Sequence, residues 1–132
     1  MNPVIHFELP AENQKRLAAF YTRAFGWQTK TLGPEMGGYV LATTVATGKN
    51  GRPKKTGAIN GGIYQKPDRD SFTHAPSLVI AVDDIKKHIK KVKAAGGKLL
   101  GGPMEIPGVG LYVSFFDPEG NRLSLLQPKG RM

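Results

Sequence analysis

A chain of 132 residues is one domain by length, or two small half-modules that share a core. At 39% hydrophobic and 22% charged residues it is not generally disordered, and no apolar run approaches the roughly 18 residues of a helical membrane span. The absence of cysteine removes disulfides, thiolate zinc sites and a cysteine nucleophile, while a net charge of +9 leaves polyanion binding to be weighed.

The first ten residues, MNPVIHFELP, lack the charged-then-apolar pattern of a secretion signal, so a cytoplasmic location is expected. Val4 to Leu9 alternates. Val4, His6 and Glu8 point to one side, and Ile5, Phe7 and Leu9 to the other. The apolar side should meet a helix and the His6/Glu8 side something wetter. Pro10, without an N–H, is expected to end the strand. Ala11 to Phe25 reads as a helix, with Leu17, Phe20, Tyr21 and Ala24 at helical spacing and Gly26 closing it.

Trp27 to Leu32 reads as a strand, with Trp27 expected in the core. Tyr39 to Thr47 is a further strand, and Gly48 to Gly57 (GKNGRPKKTG) a basic connection. Ala58 to Gln65 follows as a strand whose Gly61-Gly62 pair suggests close approach of a ligand or of another backbone. Lys66 to Pro76, polar and proline-bounded, reads as a linker carrying an exposed His74.

Ser77 to Val82 is a short apolar strand. Asp83 and Asp84 can each cap the helix that follows, in which Ile85, Ile89 and Val92 form the buried stripe. Lys86, Lys87, Lys90, Lys91 and Lys93 fill its other face, and no chemistry is expected of His88. Gly96-Gly97 stops the helix and Leu99-Leu100 opens a strand. Gly101 to Pro103 is a loop and Pro107-Gly108 a turn. Leu111 to Phe116 and Arg122 to Gln127 are strands joined by the turn Asp117 to Asn121, and residues 128–132 read as a loose tail.

The order strand–helix–strand–strand–strand thus occurs twice, in residues 2–65 and 77–128, joined by a linker at 66–76. The fold class expected is α+β: two tandem βαβββ modules forming one cupped mixed sheet, with helices on the outer face and a concavity on the inner one. The basic residues lie in the 48–57 loop and on the outer face of the second helix, without interleaved aromatics. They read as solvated surface, and nucleic acid is not an expected partner.

Four motifs carry a resemblance across nearly the whole chain: HFEL at 6–9 with FYTRAFGW at 20–27, VDDI at 82–85, KAAGGKL at 93–99, and FFDPEGNRLSLLQ at 115–127. With these the chain resembles the vicinal oxygen chelate superfamily of glyoxalase I, bleomycin-resistance proteins and extradiol dioxygenases, and within it a glyoxalase-related bacterial subgroup. The resemblance implies a homodimer and four inward-facing positions that hold a divalent metal in the family. They fall here on His6, Ser77, Ser124, and Gly61 or Gly62.

Only His6 offers a donor suited to a catalytic divalent ion, since serine hydroxyls are poor ligands and glycine has no side chain. Glu8 could add one carboxylate from the same strand. The expectation is therefore a cup without a metal cofactor that binds a small organic molecule, with His6, Tyr39, Tyr64, Ser77, Tyr112 and Ser124 as ligand-binding candidates. The three tyrosines could equally be cross-strand packing pairs. The alternative is a lyase, isomerase or dioxygenase with His6 or Glu8 as base, and with an atypical metal site left open. For His6 the other reading is a hydrogen-bonded cup residue, and for Glu8 a solvated rim position.

Overall fold

The structure, a computed structural model, describes residues 1–66 and 75–130. The expected linker at 66–76, with His74, lies almost wholly outside the described residues, as does the last part of the expected tail. The chain divides into two compact units. One begins at His6. The other joins the first five residues to the chain from Ser77 onward, and there the Ala81 N–H donates to the Pro3 carbonyl at 2.9 Å.

The N-terminal unit holds β1 (Val4–Ala11) from His6 onward, α1 (Gln14–Phe25), β2 (Gln28–Thr31), a short 3-10 turn at Pro34–Met36, β3 (Val40–Thr43) and β4 (Asn60–Gln65). Its strand order is β2-β3-β4-β1, with β1 and β4 parallel and the other neighbours antiparallel. α1 covers one face, burying Ala11, Ala18, Val40 and Ile63 with Leu9 and Leu17 against them. The other face carries His6, Glu8, Asn60, Gly62 and Tyr64, because alternate residues of a strand point to opposite sides.

Three local expectations are corrected here. β1 runs through Pro10 to Ala11, and the helix starts later, at Gln14. The Ala11 carbonyl accepts from Lys66 N–H on the β4 side. In a parallel strand the neighbouring residue turns its backbone groups the opposite way, so the donor that Pro10 lacks is not one the β4 ladder uses. The helix start is set by Asn13, whose side chain accepts the Arg16 N–H at 2.9 Å. β3 stops at Thr43 because the Asn60 side chain takes the Thr44 and Val45 N–H groups out of the ladder, at 2.8 and 3.4 Å.

The C-terminal unit holds β5 (Ser77–Ala81), α2 (Ile85–Ala94), β6 (Lys98–Leu99), β7 (Met104–Ile106), β8 (Gly110–Phe116) and β9 (Arg122–Pro128). β5, β9, β8 and β6 are neighbours in that order, and β7 also pairs with β8. β7 is one strand more than the repeat leads one to expect, formed by a hairpin around the Pro107-Gly108 turn. Residue 128 belongs to β9, and Lys129 N–H donates to the Val109 carbonyl, so the tail is anchored at its start.

α2 begins on Asp84, which accepts the Lys87 N–H, and the Gln127 side chain accepts the N–H of Ile85 at 2.9 Å. Two of the orphan donors at the helix start are thereby satisfied. Ile85, with Ile89 and Val92, packs on Val113, Phe115 and Leu125. The architecture is α+β, one helix on one face of each unit's strands.

Candidate functional site

In the N-terminal unit the wet face is organised by Tyr39. Its hydroxyl lies 2.9 Å from His6 Nε2 and 3.4 Å from Glu8 Oε2. One phenolic proton serves one of these at a time. When it goes to Glu8, His6 carries its own proton on Nε2 and donates to Tyr39; Nδ1 is then left as an acceptor. Burial of the imidazole pushes the His6 pKa down, and the nearby Glu8 carboxylate opposes this only in part. His6 is therefore a neutral imidazole at pH 7.

The phenol reaches this position over glycine. A Cβ on Gly62 would stand 1.9 to 2.1 Å from the hydroxyl and ring atoms of Tyr39, so only hydrogen fits beneath the ring. A Cβ on Gly61 would instead meet the Phe7 ring at 2.5 Å, on the helix side of the sheet. The position on the His6/Glu8 face is thus Gly62, which pairs with Glu8, and not Gly61, which pairs with Phe7. Gln14, on α1, donates to the carbonyls of Gly38 and Ile63 at 3.0 and 3.2 Å. This fixes the backbone beside Tyr39 and beside Gly62.

Tyr64 lies further along this face, beside Pro10. Trp27 stacks on Tyr21 at 4.4 Å with its ring 5.4 Å from Phe7, on the helix side of the sheet. His88 bonds Asn2 and the Asp84 carbonyl at the start of α2.

The C-terminal unit carries a second polar set on the strand face away from α2. Ser124 is fully buried and donates to the Tyr112 hydroxyl at 2.7 Å. Its oxygen lies 2.9 Å from Ser114 Oγ, and Arg122 Nη1 donates to Ser114 Oγ at 3.4 Å. Since Ser124 gives its proton to Tyr112, it accepts the proton of Ser114. The chain then runs one way, from the Arg122 guanidinium through two serines to the phenol, and each link polarises the next. Ser77, also buried, donates to the Arg122 carbonyl at 3.0 Å and stays outside that chain.

The structure thus joins His6, Glu8 and Tyr39 in one set, and Tyr112 and Ser124 in another. Ser114 and Arg122 are additional members: strand alternation puts them on the faces of Tyr112 and Ser124, two residues from each, and the β8–β9 register brings them into contact. Gln14 and Asn60 carry no such signal, because their partners are backbone groups distant in sequence.

At the four positions that the resemblance assigns to a metal, the structure has an imidazole already bonded to a phenol, a glycine, and two hydroxyls spent on protein partners. This set does not suit a divalent ion, which needs three or four His, Asp or Glu donors. Among the described residues no three such side chains come together. No helix among them is long and apolar enough to cross a membrane.

The sequence profile described as Glyoxalase/Bleomycin resistance protein/Dioxygenase superfamily matches residues 4–125. The chain is 33% identical over 84 residues to a putative glyoxylase, CFP32, of Mycobacterium bovis, covering 64% of this chain and 32% of that protein. It is 30% identical over 127 residues to the anthracycline biosynthesis protein DnrV of Streptomyces peucetius, covering 86% of this chain and 42% of that one. It therefore spans less than half the length of these relatives. A Streptomyces coelicolor methylmalonyl-CoA epimerase variant in complex with 2-nitronate-propionyl-CoA superposes with a TM-score of 0.70 at 12% identity, over 98% of this chain and 96% of that one. This likeness is one of fold.

Proposed function

The chain belongs to the Glyoxalase/Bleomycin resistance protein/Dioxygenase superfamily, and from that premise we propose that it binds a small organic molecule without a resident metal. The single observation that carries this reading is the Tyr39 bridge. His6, the histidine at a position the resemblance assigns to a metal ligand, is desolvated, neutral and bonded to a phenol at 2.9 Å, with glycine where a further ligand would stand. Such a set recognises a ligand carbonyl or hydroxyl by donating and accepting hydrogen bonds. Tyr64 lies on the same face of the N-terminal unit. In the C-terminal unit, taken by itself, Tyr112 stands at the end of a hydrogen-bond chain that begins at Arg122, while Ser77 and Ser124 are buried and donate to protein partners.

A second reading has an observation of its own. A neutral imidazole beside a carboxylate suits proton abstraction near neutral pH, with His6 or Glu8 as base. The similarity to an epimerase fold and to anthracycline biosynthesis proteins supplies probes for both readings. Thermal-shift titration with methylmalonyl-CoA and with an anthracycline, on wild type and His6→Ala, tests binding. The expected result is a ligand-dependent rise in Tm that His6→Ala at least halves. A rise of equal size in the variant would move the site elsewhere. Stoichiometric divalent metal in the purified protein, or a Tm several degrees higher with added zinc, nickel or manganese, would overturn the metal-free reading. The same reading takes the chain to act as a homodimer, which light scattering checks.

A further inference from the structure

β2 ends the strand order of the N-terminal unit, and among the described residues it pairs with β3 alone. All four of its residues are exposed. Leu32 N–H donates to the Tyr39 carbonyl at 2.8 Å, and the register runs Lys30 to Leu41 and Gln28 to Thr43. In an antiparallel pair the bonded residues alternate. Residues 28, 30 and 32 therefore turn their backbone groups to β3, and Thr29 and Thr31 turn theirs outward, along the open edge.

The same two residues face α1, since they pair with Ala42 and Val40 on the helix-covered side. Between that edge and the helix runs a groove of about 400 Å³. Ala18 and Ala19 keep its floor low. Lys15 and Arg23 stand at its two ends, and Thr22, Thr29 and Thr31 supply hydroxyls between them. Among the described residues no Asp or Glu lines it. The two cations, eight residues apart on one helix, are about 12 Å apart along its axis. In an extended strand, side chains at i and i+4 project to the same side about 13 Å apart.

We propose that the β2 edge and this groove receive an extended acidic segment of a partner protein by strand addition. Main-chain bonds to Thr29 and Thr31 would supply affinity, and acidic side chains at i and i+4 would meet Lys15 and Arg23. An open edge without blocking proline or bulge is a template for another chain. The charge favours an acidic partner over a second copy, because two copies paired edge to edge bring cations against cations on a chain of net charge +9. This surface lies on the opposite side of the sheet from His6 and Tyr39 and is independent of the ligand reading.

The test is fluorescence polarisation of the full chain with a labelled peptide Val-Glu-Val-Thr-Val-Glu-Val, and with the same peptide carrying Lys for Glu. Thr31→Pro removes an outward N–H and leaves the β3 ladder its bonds. Lys15→Glu/Arg23→Glu reverses the charge of the groove at two exposed helix positions, and circular dichroism checks that the variant is folded. The acidic peptide is expected to bind in a salt-dependent manner, each variant to weaken it at least about tenfold, and the basic peptide not to bind. Absence of binding by the acidic peptide, or binding indifferent to both variants, would overturn the proposal. So would a concentration-dependent dimer that Thr31→Pro abolishes, which would give the edge to a second copy.

Discussion

Replacing Gly62 by alanine should destabilise the protein only while Tyr39 is present. The added Cβ would stand 1.9 to 2.1 Å from the Tyr39 hydroxyl and ring, where carbon atoms need about 3.5 Å. The ring must therefore leave. That forfeits the 2.9 Å bond to His6, of the order of 1 kcal/mol, and adds the roughly 1–3 kcal/mol typical of overpacking. Against this, Gly62 has an ordinary negative φ, so alanine loses nothing by strain and gains about 0.4–1 kcal/mol from a stiffer unfolded chain. The net for Gly62→Ala is a loss of about 2 kcal/mol. In a Tyr39→Ala background the ring is gone, and the same change should be neutral or stabilise by about 0.5 kcal/mol. Urea unfolding of the four proteins, with m-values compared to exclude a change in the unfolded state, gives the coupling energy. Equal destabilisation in both backgrounds would show that something other than the phenol occupies the space over Gly62, and the account of the site would be wrong.

The His6 pKa lies below its ordinary value, so the unfolded chain takes up a proton at higher pH than the native one. His6's contribution to stability is then complete above about pH 6.5 and falls as pH drops below it. Chemical denaturation from pH 7.5 to 5 should show this fall in wild type and a flatter profile in His6→Gln; parallel profiles would refute it. Ser124→Ala leaves Tyr112 and Ser114 short of a partner in a fully buried position, and unfolding free energy should drop by about 1–2 kcal/mol. Gln127→Ala strips the Ile85 N–H of its acceptor and should lower thermal stability by about 1 kcal/mol, seen as weakened amide protection in the first turn of α2.

Much of the fold was legible from local chemistry. Alternation in Val4 to Leu9, the Ile85–Ile89–Val92 stripe and the Asp117 to Asn121 turn are all short-range signals, and each element formed where it was expected, while the choice of Asp84 over Asp83 as the cap of α2 came from the structure. The element ends were less legible because distant partners set them: Asn60 ends β3 from sixteen residues away, and β4 carries β1 past Pro10.

Sequence by itself determined the family and the doubled strand–helix plan, since these follow from residue identity and spacing. Tertiary structure alone decided that Gly62 and not Gly61 shares the face of His6, that Tyr39 bridges His6 to Glu8, and that Ser114 and Arg122 lead a proton-donating chain to Tyr112. Those outcomes depend on strand register. A one-residue slip exchanges the two faces of a strand, and register is fixed by packing across the whole sheet, not by any one stretch of chain.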